Sequence, residues 1–345
     1  MIEPIPELSR HASRIGRWLI SAGLLYLVYQ LVPFTGVLTA LTLARGSLVV
    51  FACVLVLAGQ LVVAWRMKLL IEPQGIRVRT AQLLEINFAC NWYSLVLPWG
   101  TVVNLAVRLR RLSRLQMKWT EILSALAIDR LLATAALAAI GLVFWLAAGN
   151  SVGADASPHV TPDLIGWMMA VALAGTAFLS IVFFHPAFAQ LLQRNARRLS
   201  AGRIGDTIRA QSLSVAAYQN ASASELALVL LLSVVPQLLG TVAHVLLGQS
   251  LGIVVDFTAW GWIRSAVVLA TLIPVSVGGL GIRDGVLLYL LAQFGVPGDK
   301  ALALATLIFG VMVVFPALIG GLLECRKLVS GKSCQRTGPS SLNQN

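Results

Sequence analysis

The sequence predicts an all-α polytopic membrane protein of six full spans and two broken, re-entrant hairpins. Three observations predict it. Hydrophobic residues make up 58% of 345 positions and charged residues 12%, with a mean hydropathy of +0.83, which leaves too little polar surface for a soluble domain. Apolar windows long enough to cross a hydrocarbon core of about 30 Å recur along the chain. Two further apolar regions are each interrupted midway by Pro and Gly. The whole of 1–345 therefore reads as a single integral-membrane domain.

The first window, 18–38, follows Arg17. Its apolar run is too long for a signal-peptide core and lacks a small-residue cleavage site, so it reads as a span. The second is 47–66. Region 82–115 comes next and is broken at Leu97-Pro98-Trp99-Gly100. Spans at 121–148, 163–184 and 225–248 follow. Region 259–295 is broken from Ile273-Pro274 through Gly281, and 301–323 is the last span, leaving 324–345 as a cytoplasmic tail. An unbroken arm of about 15 residues rises about 22 Å, less than the core thickness. Re-entrant hairpins with tips near mid-membrane fit that length. In the alternative 259–276 and 284–296 both cross fully, which preserves the termini but gives eight spans and weakens the symmetry.

Basic residues set the orientation. They concentrate before Trp18, in 66–79, in 104–119, in 185–224 and after Cys325, whereas 38–46, 149–162, 249–258 and 296–300 hold only Arg45 and Lys300. The rich set is cytoplasmic by the positive-inside rule, and so are both termini. Each half then contains two spans, a hairpin and a span. Three crossings per half is odd, so pseudo-repeat 1 (about 18–148) and pseudo-repeat 2 (about 163–323) are expected to be inverted, with the broken segments in corresponding positions. In inverted-repeat transporters such segments mark the binding site.

Non-helical backbone inside a membrane must be satisfied by protein or by a wet cavity, so Pro274 to Asp284 is read as a site. With tips near Pro98 and Pro274, the helices restarting at about Thr101 and Ile282 direct unpaired amides and positive dipole ends to mid-membrane, where a phosphate is attracted. Gly278, Gly279 and Gly281 permit close approach of a ligand, and Arg283 adds bidentate donors. Asp284 favours the dipole from the first turn. Structural pairing of Arg283 with Asp284 is the plainer alternative. Asp129 and Arg130 lie about 12 Å into the helix that begins at Glu121 and point about 100° apart. They are expected to pair with other elements, such as Arg108 or Arg283, as an inter-helix tether or as a relay.

At residues 271–323, TLIPVSVGGLGIRDGVLLYLLAQFGVPGDKALALATLIFGVMVVFPALIGGLL, the chain resembles the transmembrane region of lysylphosphatidylglycerol synthases and related stand-alone flippase-like proteins. The shared pattern is Pro-x-Ser-x-Gly-Gly-Leu-Gly-x-Arg-Glu, supplied here by Pro274, Ser276, Gly278, Gly279, Gly281 and Arg283, with Asp284 where the family usually has Glu. The earlier family signature is matched loosely by LPWGTVVNLAVR, through Pro98 and Gly100, with Asn104 in the acid's place and Arg108 displaced by about one position. SALAIDRLL resembles the family's acid–Arg pair through Asp129 and Arg130.

The resemblance implies movement of a lipid, commonly with an anionic or modified head group, between leaflets. The synthases add a soluble aminoacyltransferase domain, and the tail after Leu323 falls far below the roughly 100 residues of a catalytic domain. The chain is therefore expected not to be an enzyme. The expected cargo is a phospholipid or a polyprenyl or terpenoid-linked lipid, carried across a bacterial-type inner membrane. One alternative is a non-catalytic subunit supporting a lipid or glycan biosynthetic enzyme; another is a membrane-embedded transferase using Asp129 or Asp284 as base.

The remaining features narrow the classes. The net charge of +12 follows from loop topology, so nucleic acid is not an expected partner; membrane lipids are. Basic segments 108–118 and 193–211 read as head-group contacts or solvated loops. No cofactor is implied: there is no P-loop and no second ligand at metal spacing from His244, which reads as a packing residue or a proton-coupling one. Arg264 is expected to snorkel. Trp18, Trp65, Trp119, Trp145, Trp167 and Trp260 read as an aromatic belt. Cys53, Cys90, Cys325 and Cys334 read as free thiols.

Overall fold

The computed structural model describes residue 39 and residues 41–97, 100–115, 117–148, 162–184, 223–271 and 281–335. These residues form helices, with no strand among them. In chain order they are α1 (Gly46–Ile71), a 3₁₀ turn (Glu72–Gln74), α2 (Thr80–Val96), α3 (Gly100–Ser113), α4 (Trp119–Ala148), α5 (Pro162–Phe184), α6 (Ala223–Ser250), α7 (Phe257–Thr271), α8 (Ile282–Ala292), α9 (Gly298–Phe309) and α10 (Phe315–Gln335). A π-helical stretch, Gly310–Val314, joins α9 to α10.

Five helices are long and apolar enough to span a membrane: Gly46–Gln74, Trp119–Ala148, Leu164–Val182, Ala227–Ser250 and Gly298–Lys327. They coincide with five of the six windows expected from sequence. The expected span at 18–38 and the basic segment 193–211 lie outside the described residues. Helix α10 continues to Gln335, so the first part of the segment assigned to a tail is helical.

Both broken regions divide as their Pro and Gly residues require. The arms α2 and α3 hold 17 and 14 residues, and α7 and α8 hold 15 and 11. At 1.5 Å per residue the longest reaches about 26 Å. The first pair folds back on itself, because Cys90 meets the Asn104 carbonyl and Asn87 meets Arg108, a register that runs in opposite directions along the two helices. The tilted rings of Trp262, near the start of α7, and Phe294, just past the end of α8, lie 6.1 Å apart and put the second pair in the same sense.

Packing between the halves is reciprocal. Helix α4 packs along α7, α10 packs along α2, and α1 crosses α6. The Arg45 N–H donates to the Ser250 carbonyl at 3.1 Å, so the start of α1 lies beside the end of α6. Close approach depends on small residues, as expected where lipid removes the hydrophobic drive between helices. A Cβ on Gly320 of α10 would collide with the Phe88 carbonyl oxygen of α2, and one on Gly261 of α7 would collide with the Phe144 ring of α4.

Large apolar side chains remain on the outside, among them Val54, Val143, Val171, Phe178, Ile181 and Leu322, as a lipid-facing surface requires. Trp65, Trp119 and Trp167 are exposed there. Trp260 is not: it is 1% exposed and its indole sits on Gly248, so a core position replaces the expected belt position.

Candidate functional site

The buried apolar residues form two cores. One joins Ala64–Ile71 of α1 to α2, α3 and the first half of α4, and the other joins α6, α7, α8, α9 and the second half of α4. Each core contains ionisable side chains that no soluble-protein logic would place there.

In the first core, Arg66 of α1 donates through Nε and Nη2 to Oδ1 of Asp129 on α4, at 2.9 and 2.6 Å. Both side chains are nearly sealed, at 3% and 5% exposure. Asp129 does pair across elements, but the expectation of Arg108 or Arg283 is corrected to Arg66. Arg66 lies toward the C-terminal end of α1, in a segment whose basic residues read from sequence as an orientation signal, and its contact with Asp129 is set by how α1 crosses α4.

Arg108 faces α2 instead. It is buried, and its Nη2 donates to Oδ1 of Asn87 at 2.8 Å. Asn104, Arg108 and Arg111 recur at i, i+4 and i+7 on α3, and Asn87, Cys90 and Ser94 recur similarly on α2, so two polar stripes meet within the hairpin. Arg108 Nε and Asn87 Nδ2 are both buried without a hydrogen-bond partner among the described residues. Such a donor costs about 1–3 kcal/mol. Arg130 is exposed on α4, with Arg108, Asp129 and Arg66 all within electrostatic reach.

An ionic clamp closes the same end. Glu324 of α10 accepts from Arg111 Nη2 at 2.6 Å and from the Tyr93 hydroxyl at 3.2 Å, and Lys327 pairs with Glu85. Arg108 and Arg111 of the basic segment 108–118 thus face protein, while Arg110 is exposed.

In the second core, α8 begins at Gly281, whose φ of 84° suits glycine. Asp284, three residues on, accepts the Gly281 N–H through Oδ2 at 3.2 Å. Its Oδ1 accepts Arg283 Nε and Nη2 at 3.0 and 2.8 Å. The Arg283 guanidinium also lies 5.1 Å from the centroid of the Phe309 ring. The plainer pairing alternative therefore describes this pair. Pro98, Pro274, Ser276, Gly278 and Gly279 lie outside the described residues; Gly100 opens α3 as expected.

Sequence reasoning missed Arg264. Snorkelling is corrected to a half-buried position between α6 and α7: its Nη1 donates to Gln237 Oε1 at 3.1 Å, and its guanidinium lies so close to Gly240 that a Cβ there would collide with it. Gln237 in turn donates to the Ala133 carbonyl of α4 at 3.4 Å. His244 Nδ1 contacts the Gly240 carbonyl at 2.7 Å, with Arg264 and Arg283 within electrostatic reach. Among the described residues no group of His, Cys, Asp and Glu could hold a metal ion.

The candidate residues therefore divide into two centres. Arg108, Asp129 and Arg130 gather with Arg66 and Asn87, and Gly281, Arg283 and Asp284 gather with Phe309, with His244 and Arg264 nearby. Together with the paired broken helices, these centres define a polytopic α-helical membrane protein with charge held inside the bundle. The family model for the lysylphosphatidylglycerol synthase TM region matches residues 14–320, and the chain belongs to that family. A search of curated proteins finds no match.

Proposed function

We propose that the chain moves a lipid between the two leaflets, its polar head group passing between the two broken hairpins. The observation that carries this reading is the ionisable centre at each hairpin, inside a bundle whose outer face is apolar. Ionisable groups inside a membrane bundle are costly even when paired, and they commonly mark the path of a polar cargo. Family membership supports a lipid as that cargo. The reciprocal packing of α4 on α7 and of α10 on α2 supports two inverted halves, 18–148 and 163–323. Basic loop residues support cytoplasmic termini in a bacterial-type inner membrane.

No nucleotide-binding motif accompanies the bundle, so passive, ion-coupled or partner-driven movement is the form proposed. Lipid composition of each leaflet, measured in cells with and without the protein, tests the reading. The expected result is a change in the leaflet ratio of one lipid class at constant total amount. An unchanged ratio for every class would contradict it.

A further inference from the structure

The phosphate-binding capacity expected at Arg283 is already engaged there: Asp284 takes its Nε and Nη2, and Phe309 covers its face. The first hairpin differs. Among the described residues, the guanidinium groups of Arg66, Arg108 and Arg130 stand around the carboxylate of Asp129, which Arg66 occupies from 2.6 Å, while the nearby Glu324 and Glu85 are taken by Arg111 and Lys327. Two positive charges are left uncompensated. Arg108 is 8% exposed and Asn87 5%, yet Arg108 Nε and Asn87 Nδ2 have no acceptor among the described residues. These two donors belong to planar groups already joined by a 2.8 Å hydrogen bond between Arg108 Nη2 and Asn87 Oδ1, so both lie in one small polar locus. An acceptor with two oxygens and a negative charge satisfies both.

We propose that Arg108 and Asn87, with Arg130 beside them, seat the phosphate of a phospholipid head group. One non-bridging oxygen accepts from Arg108 Nε, and the other accepts from Asn87 Nδ2. Arg130 points to the lipid source. It shares an exposed stripe of α4 with Trp119, Leu123 and Ala127, so an anion reaching it comes along the bilayer rather than from bulk water. Pairing with Arg66, Arg111 and Lys327 keeps the carboxylates of Asp129, Glu324 and Glu85 from filling the seat. This inference rests on the lipid-translocation reading and assigns its head-group chemistry.

Binding of dioctanoyl-phosphatidylglycerol to the purified full-length chain in neutral detergent tests it. Arg108→Gln is expected to weaken binding at least tenfold, and the surface control Arg110→Gln less than threefold. Asn87→Asp gives Arg108 a carboxylate in place of the phosphate. It is expected to raise the lipid-free melting temperature while abolishing binding, which separates the seat from a folding defect. Dioctanoylglycerol, without a phosphate, is expected not to compete. Unchanged binding by both variants, or equal competition by dioctanoylglycerol, would overturn the seat. Full competition by inorganic phosphate at the same concentration would overturn its assignment to a lipid. Binding with the expected pattern but no leaflet exchange in vesicles would defeat the translocation reading and leave the seat standing. Exchange without a phosphate preference would do the reverse.

Discussion

Asp129→Ala is expected to destabilise the protein by about 3–5 kcal/mol, because it leaves Arg66 charged, sealed and without its partner. The loss exceeds what the pair itself contributes: most of it is the cost of an uncompensated guanidinium at 3% exposure. The double variant Arg66→Met/Asp129→Leu removes both charges and fills similar volume, so it is expected to recover most of the stability. Thermal unfolding in detergent, followed by tryptophan fluorescence, checks both. A double variant as unstable as Asp129→Ala would mean that the pair contributes more than charge balance. Separately, leaflet exchange by a stable double variant distinguishes tether from relay: retained exchange identifies a tether.

Asp284→Ala is expected to combine two losses, the cap on Gly281 and the partner of Arg283, and to reduce leaflet exchange at least tenfold. The lost cap costs about 0.5–2 kcal/mol and the stranded guanidinium about 3–5 kcal/mol. Asp284→Glu restores the residue usual in the family. It is expected to stay close to the parent, because a glutamate three residues past the N-cap reaches back to that N–H in a capping box. Equal losses in Asp284→Ala and Asp284→Glu would show that the position reads side-chain length rather than charge and capping. Melting temperatures and exchange rates of the two variants decide between these outcomes.

Much of this architecture is legible in the sequence because lipid imposes simple rules on it. Span lengths follow from the thickness that a run such as Leu164–Val182 must cross. The arms of the hairpins follow from Pro and Gly at 97–100 and 273–281, which cannot continue a helix in lipid without help. Pairings across the bundle are not legible in the same way. Arg66 and Asp129 are 63 residues apart, and nothing in their spacing says that α1 crosses α4 there. Asn87 in α2 carries no motif at all and becomes visible only when α3 folds back against it.

Arg264 shows the same limit from the other side. Distance along a helix gives depth but not facing, and an arginine seven residues into α7 can turn outward or inward. Gly240 decides it, by leaving room on α6 for a planar guanidinium. A usable signal was present: once the basic-rich segments 66–79, 104–119 and 185–224 and the residues after Cys325 are set aside, Arg130, Arg264 and Arg283 remain as the arginines within the described helices. Trp260 is misread for a related reason, since an indole near a span end looks like a belt residue until Gly248 is seen beneath it.

The most direct measurement of the central claim is leaflet exchange by the purified chain in phospholipid vesicles, read as quenching of a fluorescent phospholipid by a membrane-impermeant reductant. Vesicles containing the protein are expected to lose fluorescence beyond the outer-leaflet fraction, and Arg108→Gln is expected to return the plateau to that of protein-free vesicles. A protein-free plateau from folded, unmodified protein would contradict the account.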